Sequence, residues 1–220
     1  MFKFAPEGYP FIFGSLVLTV LVFMVVPVVT LLFLLLAAFM LYFFRDPARH
    51  IPGGRDLFVS PADGRIIVIR DVHEPRYLRA DVKQISIFMS PLNVHVNRAP
   101  CYGMVKKVVH NRGRFLAAYK DEASVRNENI EMVLETEYGD ILVRQVAGFV
   151  ARRAVCRKRE GDHLDRGERY GIIKFSSRLD VYLPRDAEIK VKMNETVKAG
   201  ETVIAAIHRT QLSPGEVSKD

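Results

Sequence analysis

The sequence predicts a mainly β domain, a barrel or sandwich, carried behind an N-terminal transmembrane helical hairpin. Three observations predict this. Residues 11–44 contain no charged side chain, nearly all of the Lys, Arg, Asp and Glu follow from Arg45 onward, and after residue 56 short runs rich in Val and Ile are separated by turn residues. At 220 residues and 25.0 kDa the chain is long enough for one compact domain and an appendage.

The anchor occupies residues 1–45. Its apolar run exceeds the roughly 20 residues that one spanning helix needs, which excludes a buried core helix. Pro27 divides the run into 11–26 and 28–44, since proline lacks a backbone donor and bends a helix. Two arrangements follow, a hairpin of two short helices or one long, kinked and tilted helix. The hairpin is favoured, because about 1.5 Å per residue over the whole run overshoots a hydrocarbon core of about 30 Å. Both flanks then face one compartment. Lys3 on one side and Arg45, Arg49 and Arg55 on the other identify it as the cytoplasm, with the anchor in the cell (inner) membrane. The run is too long for a signal peptide, and no small-residue cleavage site closes it. Cys101 and Cys156 have neither metal-ligand nor redox spacing. The net charge of +7 and pI near 9.5 arrive without a nucleic-acid motif, so an anionic lipid surface is the simpler partner.

Residues 46–56 carry two prolines and two glycines and read as a linker. The β domain is expected over 57–210, with strands at 65–70, 84–89, 104–110, 130–135, 141–146, 171–175, 179–183, 188–192 and 202–207, and a flexible tail at 211–220. Leu179, Val181 and Leu183 alternate with Asp180 and Tyr182, and Ile189 and Val191 alternate with Lys190 and Lys192, as strands require. Residues 115–126 lack this alternation and read as a short helix or a loop.

Ser176 and Ser177 sit together between two strand patterns in GERYGIIKFSSRLDVYLP. That run resembles the cleavage region of short, archaeal-type phosphatidylserine decarboxylases. SPADGRI at 60–66 and FMSPLNVHVNRAP at 88–100 resemble the same family in the same order, and the likeness continues through NENIEM, VRQVAGFVARR and VKAGETV.

The resemblance implies a proenzyme that cuts itself between Ser176 and Ser177. Ser177 becomes a pyruvoyl group, which forms a Schiff base with the serine amine of phosphatidylserine and serves as electron sink for decarboxylation to phosphatidylethanolamine. No metal and no pyridoxal phosphate is then needed, and the partners are the lipid and the two chains, β and α, of one precursor, with a homo-oligomer left open. Asp63 of SPADG matches an aspartate that orients a histidine. His95 of NVHVN matches a histidine able to take the Ser177 proton and later to protonate the carbanion. Two departures stand out. Arg98 occupies the place of a second histidine in longer members, so His95 serves both steps or His110 or His163 contributes. Ser176 occupies the place of a glycine, although other pyruvoyl enzymes cut between two serines.

Arg98, Arg152, Arg153 and Arg178 are candidate contacts for the lipid phosphate, since guanidinium donates in bidentate fashion. Phe149 and Val150 beside them are suited to dip into the interface. Two rival readings remain. A cleavage-deficient family member is suggested by Ser176. A membrane-tethered carrier is suggested by VKMNETVKAGETV and SPADGRI, which resemble the half-motifs of lipoyl and biotinyl domains. Against the carrier, the residues before Lys192 continue a strand pattern and are expected to leave no exposed turn for a modified lysine.

Overall fold

The computed structural model describes residues 3–54, 56–113, 127–148, 153–174 and 177–207. Two helices come first. Helix α1 (Tyr9–Val25) begins at a proline-containing turn and stops before Pro27; a 3-10 turn at Pro27–Val29 reverses the chain into α2 (Thr30–Phe43). Inside the apolar α1, Ser15 and Thr19 donate their hydroxyls back to the carbonyls of Ile12 and Ser15 at 2.9 and 2.7 Å. Their polar atoms are therefore satisfied within the helix. Pro6–Val25 is long and apolar enough to cross a membrane by length and composition, with mean hydropathy 2.1; Pro27–Phe43 is shorter.

The helices form the favoured hairpin. Its ends meet in an antiparallel bridge between Phe4 and Arg45, where the Ala5 N–H donates to the Phe44 carbonyl at 2.9 Å and the Asp46 N–H to the Lys3 carbonyl at 2.8 Å. A Cβ on Gly8 would collide with the Phe44 side chain, so this close approach requires glycine.

The remainder is β. In chain order the strands are β1 (Leu57–Val59), β2 (Gly64–Glu74), β3 (Ala80–Met89), β4 (Val96–Arg98), β5 (Gly103–Asn111), β6 (Asn129–Thr136), β7 (Gly139–Ala147), β8 (Ala154–Cys156), β9 (His163–Leu164), β10 (Arg169–Ile173), β11 (Ser177–Pro184), β12 (Glu188–Ile189), β13 (Thr196–Val197) and β14 (Val203–Ala206). The main sheet has the order β13-β2-β3-β11-β7-β6-β5-β9 and curls into a half-barrel; β1-β14-β12 and β4-β10-β8 form two smaller sheets. Alternation on β11 sends Leu179, Val181 and Leu183 into the main core with Phe58, Ile85 and Leu134. Its other face is buried too, where Arg178 and Asp180 pair and Tyr182 packs with Val82, Val133 and Leu142.

The expected strand at 188–192 is cut short after Ile189. Lys192 is exposed and leads into a turn in which its N–H donates to Glu195 Oε2 and Asn194 takes a φ of 67°. An exposed turn does follow Lys192, so the expectation that strand pairing would exclude one is corrected. Residues 115–126, Phe149, Val150 and the tail at 211–220 lie outside the described residues. Both cysteines are free.

The segment 46–54 lies as a strap against the β fold. Arg98 donates to Asp46 Oδ1 and the Pro47 carbonyl, each at 3.1 Å, and Arg169 to Asp46 Oδ2 at 2.5 Å. Farther along, Arg166 donates to the carbonyls of Pro52 and Gly54. The hairpin base adds its own cluster, in which Ala5, Phe43 and Phe44 pack on Val94, Val96 and Ile172.

Candidate active site

Ser177 opens β11, so its backbone is fixed on both sides, opposite Met89 of β3 and Ala147 of β7. It is fully buried, and its Oγ lies 3.3 Å from Met89 Sδ. A thioether is a weak acceptor, which leaves the hydroxyl without a strong competing partner there. Asn97 Nδ2 approaches the same sulfur at 3.9 Å, and Asn97 Oδ1 accepts from Gln145 Nε2 at 2.8 Å. Side chains of β3, β4 and β7 are thereby linked around the serine.

His95 lies just before β4. Its carbonyl accepts the Ile173 N–H at 3.3 Å, so β10 carries the residues that lead to Ser177 past the histidine. Its Nδ1 is 3.0 Å from the Asn93 carbonyl. A carbonyl only accepts, so Nδ1 carries the proton in the neutral ring and Nε2 keeps a lone pair. Among the described residues that Nε2 is buried with no hydrogen-bond partner. The Phe43 ring lies 4.3 Å away, centroid to centroid. Burial lowers the His95 pKa to about 4; the Asn93 carbonyl opposes this and the Arg45 charge adds to it. The ring is thus neutral at pH 7, with a free basic nitrogen in an apolar setting.

Asp63, in the turn before β2, has an arginine and a backbone N–H as its partners among the described residues. Its carboxylate accepts Arg49 Nη2 at 2.9 and 2.8 Å and the Ala199 N–H at 2.8 Å. Arg49 belongs to the strap, so Asp63 fastens the strap to the turn that carries Ala199. Its identity was legible in SPADG, whereas its partner, inside a stretch read as linker, was not.

Arg98 is 5% exposed and holds the strap, and also donates to the Gly167 carbonyl at 3.0 Å. Arg178 is fully buried, 2.6 Å from Asp180 and 2.9 Å from Ser86 Oγ. Both guanidiniums are therefore engaged inside the fold. Arg153 is exposed, and its carbonyl accepts the Lys174 N–H at 3.2 Å. Arg152 and Ser176 lie outside the described residues. His110 on β5 and His163 on β9 are exposed, with β7 and β6 between β11 and β5 in the sheet. Of the three histidines weighed for proton transfer, His95 is the one tied by its backbone to β10, the strand that leads toward Ser177.

Sequence reasoning missed two cations. Arg45 follows the base of α2 and donates to the carbonyls of Tyr42 at 2.6 Å and Leu92 at 2.9 Å. Lys174, three residues before Ser177, holds its ammonium 5.2 Å over the Phe11 ring. The available signals were their positions, at the end of the apolar run and at the start of the serine pair.

A family model described as phosphatidylserine decarboxylase matches residues 36–205. The chain is 47% identical over 203 residues to a phosphatidylserine decarboxylase proenzyme of Syntrophotalea carbinolica, covering 91% of this chain and 94% of that protein. It is 45% identical over 210 residues to the proenzyme of Geobacter sulfurreducens, with 92% and 96% covered. For the proenzyme of Desulfotalea psychrophila the figure is 43% over 205 residues, with 92% and 96% covered. A match that runs from the second helix through the last strand, and takes in Asp63, His95 and Ser177, means that this chain belongs to the phosphatidylserine decarboxylase family.

Proposed function

We propose that the chain is a self-processing enzyme that converts phosphatidylserine to phosphatidylethanolamine from a membrane-anchored position. The observation that carries this reading is Ser177, a fully buried serine at the start of a central strand, in a chain that matches proenzymes over about nine-tenths of its length. The carrier reading loses its support, since the match is to decarboxylases over the whole β domain and not to a lysine-bearing turn.

In the cleavage step the Ser177 Oγ bonds to the Ser176 carbonyl carbon and its proton passes by way of His95 to the amide nitrogen, which leaves the backbone as the amine of an ester. Loss of the Ser177 α-proton with departure of the Ser176 carboxylate gives dehydroalanine. Water then hydrolyses its imine tautomer, releasing ammonia and leaving a ketone at the new α-chain terminus. Neutral His95, with its lone pair on Nε2, suits the first proton transfer.

The resulting pyruvoyl group supplies a conjugated carbonyl into which the electrons left by carbon dioxide are delocalised. Met89, Asn97 and Gln145 hold the Ser177 position on both flanks. Phe43 shields His95 from water, and the hairpin base sets the site beside the lipid. Both hairpin ends meet in one antiparallel bridge, and the positive charges of Lys3, Arg45 and Arg49 there support the reading that they face the cytoplasm, with the anchor in the inner membrane.

Intact mass and product analysis test this. Purified wild-type protein should divide between residues 176 and 177 and release carbon dioxide from phosphatidylserine, while Ser177→Ala stays whole and inactive. Ser176→Gly should speed division by up to about tenfold for each 1.4 kcal/mol of backbone strain removed. A wild-type chain that stays whole, or a Ser177→Ala chain that divides, refutes the assignment.

A further inference from the structure

Most cations around this site are already committed. Arg49 pairs with Asp63, Arg98 and Arg169 with Asp46, Arg157 with Glu7, Lys158 with Glu168 and Arg178 with Asp180. Arg45 and Lys174 differ. Among the described residues neither has a carboxylate within ion-pair distance, yet both are half-buried where the hairpin meets the β fold.

Their surroundings join them. Lys174 Nζ sits over Phe11, Phe11 stacks on Phe44 at 5.4 Å, and Arg45 is the next residue. The Arg45 guanidinium lies 3.7 Å over the Tyr42 ring, and two of its five N–H donors go to backbone carbonyls. Both cations border His95. Ile173, one residue before Lys174, donates to the His95 carbonyl, and Arg45 donates to the carbonyl of Leu92 in the loop that leads to His95. Leu92 is 63% exposed and Tyr42 47%, an apolar rim with an amphipathic ring at the foot of the hairpin.

A half-buried cation without a counter-ion is costly unless an anion completes it. Here Arg45, and Lys174, whose charge reaches only as far as lowering the pKa of the Glu7 carboxylate already bound to Arg157, stand where the hairpin meets the β fold, separated by aromatic rings. We infer that Arg45 and Lys174 form the subsite for the phosphodiester of the lipid headgroup, holding it beside His95 and the Ser177 position while its acyl chains lie along the hairpin. This inference rests on the proposed decarboxylase reading for the identity of the lipid. It moves the phosphate from Arg98 and Arg178, which are engaged inside the fold, to the hairpin foot.

Short-chain phosphatidylethanolamine tests it, because it keeps the phosphodiester, lacks the carboxylate and is not consumed. Its dissociation constant from the full-length protein is measured by phosphorus NMR titration. Arg45→Gln and Lys174→Gln should each weaken binding about tenfold, Arg45→Lys should recover part of the loss, and removal of a distant charge by Lys106→Gln should change it less than twofold. Inorganic phosphate at equal concentration should not displace the lipid; displacement would mean a free-anion site instead. Unchanged dissociation constants in both glutamine variants, or no measurable binding by the wild type, overturn the subsite. A glutamine variant that no longer melts cooperatively is replaced by Arg45→Met or Lys174→Met, for which the same tenfold criterion decides. Wild-type protein that binds this lipid yet releases no carbon dioxide from phosphatidylserine would instead overturn the decarboxylase reading and leave the subsite standing.

Discussion

His95 and Asp63 are both buried polar residues on matched motifs, and their surroundings give them different work. The His95 imidazole titrates near 6.5 when unfolded and near 4 when folded, so between those values the unfolded chain binds more protons and stability falls as the pH drops. Above about 6.5 the contribution is fully present. The uncleaved Ser177→Ala protein should therefore lose about 2 kcal/mol between pH 7 and pH 5 from this group, and adding His95→Gln should remove that part of the slope. Urea unfolding at the two pH values checks it, and an unchanged slope would mean that the ring is hydrated. Asp63 calls for a different test. Asp63→Asn leaves the Arg49 side chain, only 7% exposed, with the longer 3.6 Å pairing to Glu201 as its remaining counter-ion, which should cost about 2 kcal/mol. Loss of self-cleavage in that variant alone would not reveal a chemical role. Adding Arg49→Met removes the stranded charge. Cleavage that returns in the double variant assigns Asp63 to fastening the strap, and cleavage that stays absent assigns it to the chemistry.

The hairpin and the strap are where elements meet, and there glycine and arginine decide the fit. Gly8→Val would force Phe44 away from the foot of α1, and overpacking of this kind costs about 1–3 kcal/mol. The same change should also raise the accessibility of His95, because Phe44 packs at 5.0 Å against Phe43, whose ring lies on His95. Faster hydrogen–deuterium exchange on residues 94–98, with strands β5 and β6 unchanged, is the expected result. How far these elements could be read in advance depended on length and partner. Strands β2, β3, β5, β6 and β7 announce themselves by Val and Ile, β11 by the alternation of Leu179, Val181 and Leu183, and the hairpin by its uncharged length broken at Pro27. The short strands β4 and β8 are three residues each, too few for alternation to show, although β4 follows directly on His95. The strand signal of EIKV was overruled by the turn at Asn194, which takes the positive φ that asparagine tolerates. In the same way SPADG, NVHVN and the serine pair marked positions in the chain, while the ties of Arg49 to Asp63 and of Arg98 to Asp46 are contacts that no local pattern records.

For the whole molecule, the placement of β11 matters most. It lies in the interior of the eight-stranded sheet, with β3 on one side and β7 on the other. A cut before Ser177 would make that strand part of a second polypeptide while the two strands beside it, β3 and β7, stay on the first. Folding of the uncut chain is then a first-order event, and refolding of the cut pair a second-order one. A covalent link supplies an effective concentration on the order of millimolar, so at about 1 μM the divided protein should be less stable by about 4 kcal/mol relative to its separated, unfolded pieces. In detergent, the urea midpoint of the cut protein should rise with protein concentration, whereas that of Ser177→Ala should not move. A midpoint independent of concentration in both would mean that the α chain stays associated in the unfolded state. The peptide bond before Ser177 thus acts as an assembly jig: it delivers the central strand to its slot once, and after it is gone the two polypeptides persist together through the slowness of opening the sheet and not through any advantage in finding each other again.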